Sequence, residues 1–563
     1  MKRAFRASAM VVLFGLVFFL SQPSFATQGN LVLPPMKVVV VSGSNYEMGL
    51  QYGEQAADLI ADNRDATWNL LDTQVLDSSG TPLGHSVILK DIQVWTYYIE
   101  KYDPKLKDWL LGISDGCKNK GFNVTYVDLI ALMVLPQELW ARPQMPYPSE
   151  TGVTAFMPGK KSTLTAKGRT DTQTLASCTS FAATGSATRG EPMVSLTLGF
   201  ISDIKLYVIL VAYPNDGEPF INLTVAGKVV NNTGMNSKYA WIMTASVTDP
   251  TKACASSWGV PSEAYHHYLQ QYAKSPNEAM HFLETTPTGG VTGIFLFADP
   301  SGDVFAFEIG SCGYAIRKPG DLGEKDWVAT TNNFNSVTMA PYAIPFDWFS
   351  DTYIRYATIF KELSAAAPGT IGLEFAKAAW LSNNWYDATT GTWHTVPVPD
   401  DPSDPNVCNV PGNTCEGGES QVVQFPAQKT VYLESGEPQG TSIQYYWPDN
   451  PKPTGEYTKW QLDDSIDDTA RAASEYALST IETASDAFAQ EGRYLDPKTR
   501  NSIKSLIDQA SGAWRQGAAA EGSAWNAPDK KSRMALWGAA CTDYATAQLY
   551  AEMAYAQLKG TAE

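Results

Sequence analysis

In the stretch "TLASCTSFAATGSAT" (174–188), Cys178 sits among small and hydroxylated residues at the head of a predicted strand. A thiol attacks an acyl carbon only if a nearby base takes its proton, and the usual base is histidine. The chain has five histidines, His85, His266, His267, His281 and His394, none of them close to Cys178 in sequence. A chain-terminal α-amine offers an alternative, because its ordinary pKa of about 7.7–8.0 suits proton transfer at neutral pH. If the Ser177–Cys178 bond is cut, Cys178 carries both a thiol and that amine, so one residue supplies nucleophile and base. The small neighbours fit, since the side chain must approach its own preceding carbonyl closely. Such a site also needs hydrogen-bond donors for the developing oxyanion. The alternative reading is an inert thiol or disulfide partner, because a buried cysteine commonly acts as a small hydrophobe.

Other chemistries have no sequence support. There is no Gly-x-Ser-x-Gly elbow, His-Glu-x-x-His, Cys-x-x-Cys or phosphate-binding glycine loop. His266 and His267 read as ordinary residues of an amphipathic helix, without the ligand set a zinc site needs. Asp400, Asp401 and Asp404 form an acidic loop that is either solvated or a calcium ligand set. No cofactor is expected. Seven cysteines allow up to three bridges from Cys117, Cys254, Cys312, Cys408, Cys415 and Cys541 with Cys178 left free, and Cys408–Cys415 is the safest pair.

The elements that position Cys178 begin with a leader. Lys2, Arg3 and Arg6 precede the apolar run "MVVLFGLVFFL" and the small-residue stretch "SQPSFA", the pattern of a signal peptide over 1–26 and hence of a secreted or periplasmic protein. No later segment is apolar for long enough to span a bilayer, so no stable membrane insertion is expected. Without the leader, 38 basic residues face 59 acidic ones, and a net charge of −21 repels nucleic acid and anionic membranes. A hydrophobic content of 44% with 16 Trp and 27 Tyr supports a large core and excludes general disorder.

"MKVVVVSG" predicts a short buried strand, and "SNYEMGLQYGEQAADLIADNRDATWNLL" one long helix. An exposed connector over 142–168 precedes Cys178. Strands follow it: "TSFAATG", "PMVSLTLGF", "LYVILVAYP", "PFINLTVAGKVV" and "YAWIMTASV", then the hairpin "GIFLFADPSGDVFAFEIG" closed by Asp-Pro-Ser-Gly-Asp. Helices are expected at 262–273, 277–284, 351–365 and 371–381, then the strand pair "SQVVQFPAQKTVYLESG" and long Ala-rich helices from about 463. Antiparallel strands flanked by helices imply a layered α+β fold.

In this order, the segments resemble the isopenicillin N acyltransferase-like cysteine members of the N-terminal nucleophile (Ntn) hydrolases, relatives of choloylglycine hydrolases, acid ceramidase and phospholipase B-like proteins. "GSNYEMGLQYG" resembles the family's opening motif, and "LLGISDGC" and "DLIALMVLPQEL" its propeptide helices. "CTSFAATGSAT" is similar to its nucleophile strand. "FLFADPSGDVFAFEIG" and "TTNNFNS" resemble the hairpin and the Thr-Asn-His-Phe signature, and "DTYIRYATIF" the arginine helix after them. The resemblance runs from about Met36 to Tyr446.

It implies a four-layer αββα sandwich; with the leader and the Ala-rich C-terminal helices, which lie outside the resemblance, the chain divides as 1–26 signal peptide, 27–177 first chain, 178–450 core and 451–563 C-terminal helical extension. It also implies autocatalytic cleavage at Ser177–Cys178, with Cys178 as nucleophile, Asn332 as oxyanion donor and Arg355 orienting the polar network. The substrate would be a small-molecule acyl amide cut at a non-peptide C–N bond. Two alternatives stay open: a phospholipase B-like acyl-ester hydrolase, and a catalytically weakened binding relative. The C-terminal helices either cap the sandwich or form an oligomer interface. Two departures stand out. Relatives place polar residues on the strand after the nucleophile strand, where this chain has Leu196, Thr197 and Leu198, and Asn333 fills the slot of the signature histidine.

Overall fold

A computed structural model describes residues 37–77, 80–141, 178–199, 207–246, 248–249, 252, 258–289, 292–343, 350–396, 411, 418–435 and 457–560. The predicted leader, the 142–168 connector, the Asp400–Asp404 loop and the Cys408–Cys415 pair lie outside these residues.

The first elements are β1 (Lys37–Gly43), α1 (Asn45–Gln55), α2 (Ala57–Gln74), α3 (His85–Tyr102), α4 (Pro104–Asn119) and α5 (Tyr126–Pro136), the last running into a π-turn, Gln137–Ala141. After the connector come β2 (Thr179–Ala183), α6 (Gly185–Thr188), β3 (Met193–Gly199), β4 (Tyr207–Pro214), β5 (Phe220–Val225), β6 (Thr233–Asn236) and β7 (Ala240–Ser246). Next are α7 (Ser262–Gln271), α8 (Pro276–Thr285), β8 (Thr292–Ala298), β9 (Val304–Gly310), β10 (Gly313–Arg317) and β11 (Trp327–Thr330). The remainder is α9 (Ser350–Ala365), α10 (Leu373–Leu381), β12 (Asn384–Asp387), β13 (Thr392–Thr395), β14 (Gly418–Phe425), β15 (Thr430–Ser435), β16 (Thr458–Gln461) and three long helices, Ile466–Glu491, Pro497–Trp525 and Lys530–Gly560.

The fold is α+β. One sheet has eight strands in the order β1-β4-β5-β6-β7-β8-β9-β10, and a second has six, β11-β2-β3-β14-β15-β16. Among the described strands of the two large sheets, β1–β4 is the one parallel pair. The sheets face one another near the head of β2. Thr330 of β11, which shares a 2.6 Å hydroxyl contact with Ser180 of its neighbour β2, meets Thr244 of β7 across the gap at 3.4 Å; Thr244 donates to the Thr331 carbonyl at 2.7 Å, and Gln424 of β14 donates to Thr233 of β6 at 2.9 Å. Alternation puts Phe181 on the opposite face of β2, where its ring meets Phe375 and Trp380 at 5.8 and 5.6 Å, and Trp380 donates to Ser195 of β3. Helices α9 and α10 therefore cover the six-stranded sheet. On the eight-stranded sheet, His266 of α7 packs on Trp241, and Tyr52 of α1 donates to the Lys228 carbonyl.

Edge strand β1 has its outward backbone groups covered. Gln51 brackets the N–H and carbonyl of Ser42 at 3.0 and 2.9 Å, Gln55 those of Val40 at 3.3 and 2.8 Å, and Thr542 accepts from the Val38 N–H at 3.0 Å. Side chains at every second residue of β1 thus remove a free edge on which another chain could pair.

The expected single helix after β1 is two helices, broken at Ala56, whose φ of −131° is not helical. Local propensity does not cause the break, since alanine is the best helix former. It lies where α1 docks on α4. "GLQYG" presents Gly49 and Gly53 to Gly112 and Gly116 of "GISDG", and a Cβ on Gly49 would stand 2.1 Å from the Trp109 carbonyl oxygen. Backbone meets backbone here. Gly49→Ala is expected to destabilise the protein by about 3 kcal/mol in urea denaturation, the upper range for overpacking. Gly512→Ala, in a helix with open space around it, should instead stabilise by up to about 1 kcal/mol. Equal effects would contradict the interlock.

Sequence reading missed β6, β10 to β13 and β16, each only four or five residues long. It also left Cys117 and Cys541 as bridge candidates, whereas both are free, buried thiols, as is Cys178. Asn222 and Asn231, each in an Asn-x-Thr glycosylation sequon, are buried. Among the described residues, no helix is long and apolar enough to cross a membrane.

Candidate active site

Three segments far apart in sequence converge at the head of β2. Cys178 immediately precedes the strand and is fully buried. Asn332 lies two residues beyond β11, which pairs with β2 in the register Thr330↔Ser180. Arg355 lies in the second turn of α9, whose inner face packs on β2 and β11.

The Cys178 N–H donates to Asn332 Oδ1 at 2.9 Å, and Asn332 Nδ2 donates to the Ala245 carbonyl at the end of β7 at 2.8 Å. Arg355 donates through Nη1 to the Cys178 carbonyl at 2.6 Å and to Thr179 Oγ1 at 3.1 Å. Its Nη2 reaches Asn332 Oδ1 at 3.2 Å, Asp351 at 3.0 Å and Thr352 at 2.9 Å. Cys178 Sγ lies 3.7 Å from the Gly199 carbonyl oxygen at the end of β3. The three residues selected from sequence are thus in mutual contact, and the main chain of Cys178 is held at both its nitrogen and its oxygen.

Burial pushes the Cys178 thiol up to about 11, against the Arg355 guanidinium and hydrogen bonds from the Gly199 and Ala245 main chain and the Asn332 side chain. Burial likewise pushes Cys117 and Cys541 up to about 12. All three folded-state values lie above the roughly 8.5 of an unfolded thiol. Their contribution to stability is complete below that pH and is lost as pH rises toward the folded values, by up to about 1.4 kcal/mol per thiol per pH unit. Urea unfolding between pH 8 and 9.5 should show this decline, and replacing Cys117 and Cys541 together by alanine should flatten it. An unchanged slope would contradict neutral buried thiols.

Asn333 accepts from Thr331 Oγ1 at 2.9 Å and donates to Asn335 Oδ1, bracing its own loop. Thr197 of β3 pairs with Thr179, and its hydroxyl is buried with no hydrogen-bond partner. One more step of that register sets Leu198 across from Cys178, so the neighbouring strand is apolar beside the nitrogen. Among the described residues, no histidine hydrogen-bonds to Cys178, Asn332 or Arg355. His267 instead contacts Asp103 at 2.5 Å, and burial holds His266 well below its ordinary value.

Asp351 and the Ala245 carbonyl were not selected from sequence. Asp351 had a legible signal, since it stands four residues before Arg355 on one helix face, the spacing of an ion pair. The Ala245 carbonyl had none, because a main-chain acceptor on a distant strand leaves no residue-type signature.

No known protein family matches the chain, and no curated protein matches it. Among solved structures, it is similar to a penicillin V acylase from Agrobacterium tumefaciens at 16% sequence identity, with a TM-score of 0.26, over 46% of this chain and 83% of that one. It is also similar to a mutant and a variant of the conjugated bile acid hydrolase from Clostridium perfringens, at 9% and 10% identity and a TM-score of 0.18 each, over 46% of this chain and 81% of theirs.

Proposed function

We propose that the protein is an exported, self-processing cysteine amidohydrolase or acyltransferase with an Ntn-type αββα fold, acting on the C–N bond of an N-acylated small molecule. One observation carries this reading: the Cys178 nitrogen, and not only its thiol, sits within the polar site, donating to Asn332 at 2.9 Å. That nitrogen is the atom that becomes the base once the bond before it is cut.

In the precursor, Cys178 Sγ attacks the Ser177 carbonyl carbon. The C–N bond breaks as the C–S bond forms and the thiol proton passes to the departing nitrogen, which becomes the free α-amine; water then hydrolyses the thioester, releasing the Ser177 carboxylate and regenerating the Cys178 thiol. In turnover, the amine takes the thiol proton as Sγ bonds to the substrate acyl carbon. It returns that proton to the leaving amine, and water or another amine then removes the acyl group from sulfur. Asn332 Nδ2 steadies the oxyanion, while Arg355 fixes the Cys178 carbonyl and the Asn332 oxygen. No metal or cofactor takes part in these steps.

Intact mass and N-terminal sequencing of the purified protein test the reading. Two chains are expected, 27–177 and 178–563. One uncut chain starting near Thr27, unreactive toward a thiol-directed acyl probe, would leave a binding protein. Cleavage of lysophospholipids in preference to N-acyl amines would indicate the ester-hydrolase alternative.

A further inference from the structure

Glu308 of β9 and Arg317 of β10 form a buried ion pair away from Cys178 in sequence. Arg317 Nε donates to Glu308 Oε1 at 3.0 Å, Nη1 to Glu324 at 2.8 Å, and Nη2 to the Ala329 carbonyl of β11 at 2.7 Å. Glu308, Arg317 and Glu324 are 0%, 1% and 4% exposed. Taking such charges out of water costs several kcal/mol per ion, and well-packed apolar residues would commonly serve stability as well or better. An apolar pair, however, could not accept hydrogen bonds.

Glu308 accepts several, and all but the one from Arg317 come from the loop that follows β11. The Asn335 N–H donates to it at 3.0 Å, the Ser336 N–H at 3.0 Å, and Ser336 Oγ at 2.7 Å. Ser336 Oγ in turn accepts from the Met339 N–H, which continues the turn. Asn332 begins this loop and Glu308 anchors its far end, while Arg317 ties the strand leading into it through the Ala329 carbonyl. The loop is therefore clamped on both sides of Asn332.

We infer that Glu308, oriented by Arg317, is a positioning residue that fixes the 331–336 loop so that Asn332 meets the Cys178 nitrogen. This rests on the reading of Cys178 and Asn332 as the reacting site. A glutamine at 308 has one oxygen for donors that now share two, so part of the loop's anchorage is lost without a change of size.

Glu308→Gln and Glu324→Gln form the test, because each removes one carboxylate from the same buried arginine and only the first touches the loop. Glu308→Gln should raise hydrogen exchange at the 332–336 amides at least about tenfold. It should also lower kcat on an N-acyl amine by about 100-fold with little change in KM, the scale expected from a small displacement of a reacting group. Glu324→Gln should leave both loop exchange and kcat near wild type, even where it lowers the melting temperature. If Glu308→Gln does not fold, Ser336→Ala gives up one bond to the carboxylate and should lower kcat about fivefold, the effect of one hydrogen bond of roughly 1 kcal/mol. Wild-type exchange and kcat in Glu308→Gln, or equal losses in the two glutamine variants, would overturn the inference. A wild-type protein that is neither cut nor labelled overturns the proposed function instead, and loop exchange still judges the clamp.

Discussion

Cys178→Ala is expected to leave the chain uncut, to abolish labelling by acyl probes, and to cut turnover on the order of 10⁶-fold, the scale at which removing a covalent nucleophile acts. The substitution removes one buried sulfur and should cost about 1 kcal/mol of stability, so the variant should fold. Its main-chain N–H and carbonyl keep their bonds to Asn332 and Arg355, because both run through backbone atoms. The variant therefore isolates the thiol from the architecture around it. Mass spectrometry of wild type and variant expressed side by side provides the readout. A variant cut between residues 177 and 178 at the wild-type rate would assign cleavage to another protease.

Arg355→Lys is the second large effect. The guanidinium reaches two groups of partners at once, the Cys178 carbonyl and Thr179 through one nitrogen, and Asn332, Asp351 and Thr352 through the other. A lysine keeps the charge but places it at a single point, so it cannot hold both groups. We expect processing and turnover to fall by at least about 100-fold, as when a transition-state donor is lost or displaced. The thiol should also move further up in pKa as the guanidinium's pull weakens, so residual activity should need higher pH than in wild type. Arg355→Leu should in addition destabilise the fold by about 3 kcal/mol, because Asp351 loses its cation and Asn332 a donor. Wild-type processing half-times in Arg355→Lys would reduce this arginine to a structural role.

Of this site, Cys178 can be singled out from its surroundings in the sequence, whereas Asn332 and Arg355 become visible only through the family resemblance. "CTSFAA" sets a thiol among small and hydroxylated residues at the head of a strand, and "DTYIRYATIF" places Asp351 and Arg355 one turn apart. The Glu308 clamp is not legible in this way. Glu308 sits in "VFAFEIG", where a lone charge on an apolar strand reads as solvent-facing, and its loop partners come 27 and 28 residues later, beyond a hairpin. The helix break at Ala56 is hidden in the same way. Its neighbours all favour helix, and the interruption coincides with the docking of Gly49 and Gly53 on another helix. Local preference writes the elements, whereas burial of charge and close backbone contact are decided only when distant segments meet.

The covered edge of β1 bears on what the protein would become after cutting. β1 belongs to the part of the chain before Cys178, yet its seven register partners, Val208 to Pro214, and the Thr542 hydroxyl that closes its outer side belong to the part after it. A cut chain would therefore be two polypeptides sharing one sheet, co-eluting on gel filtration and separating only under denaturant. Folding would be unimolecular before the cut and bimolecular after it. Such a molecule folds well once, as a precursor, and recovers poorly from unfolding at low concentration.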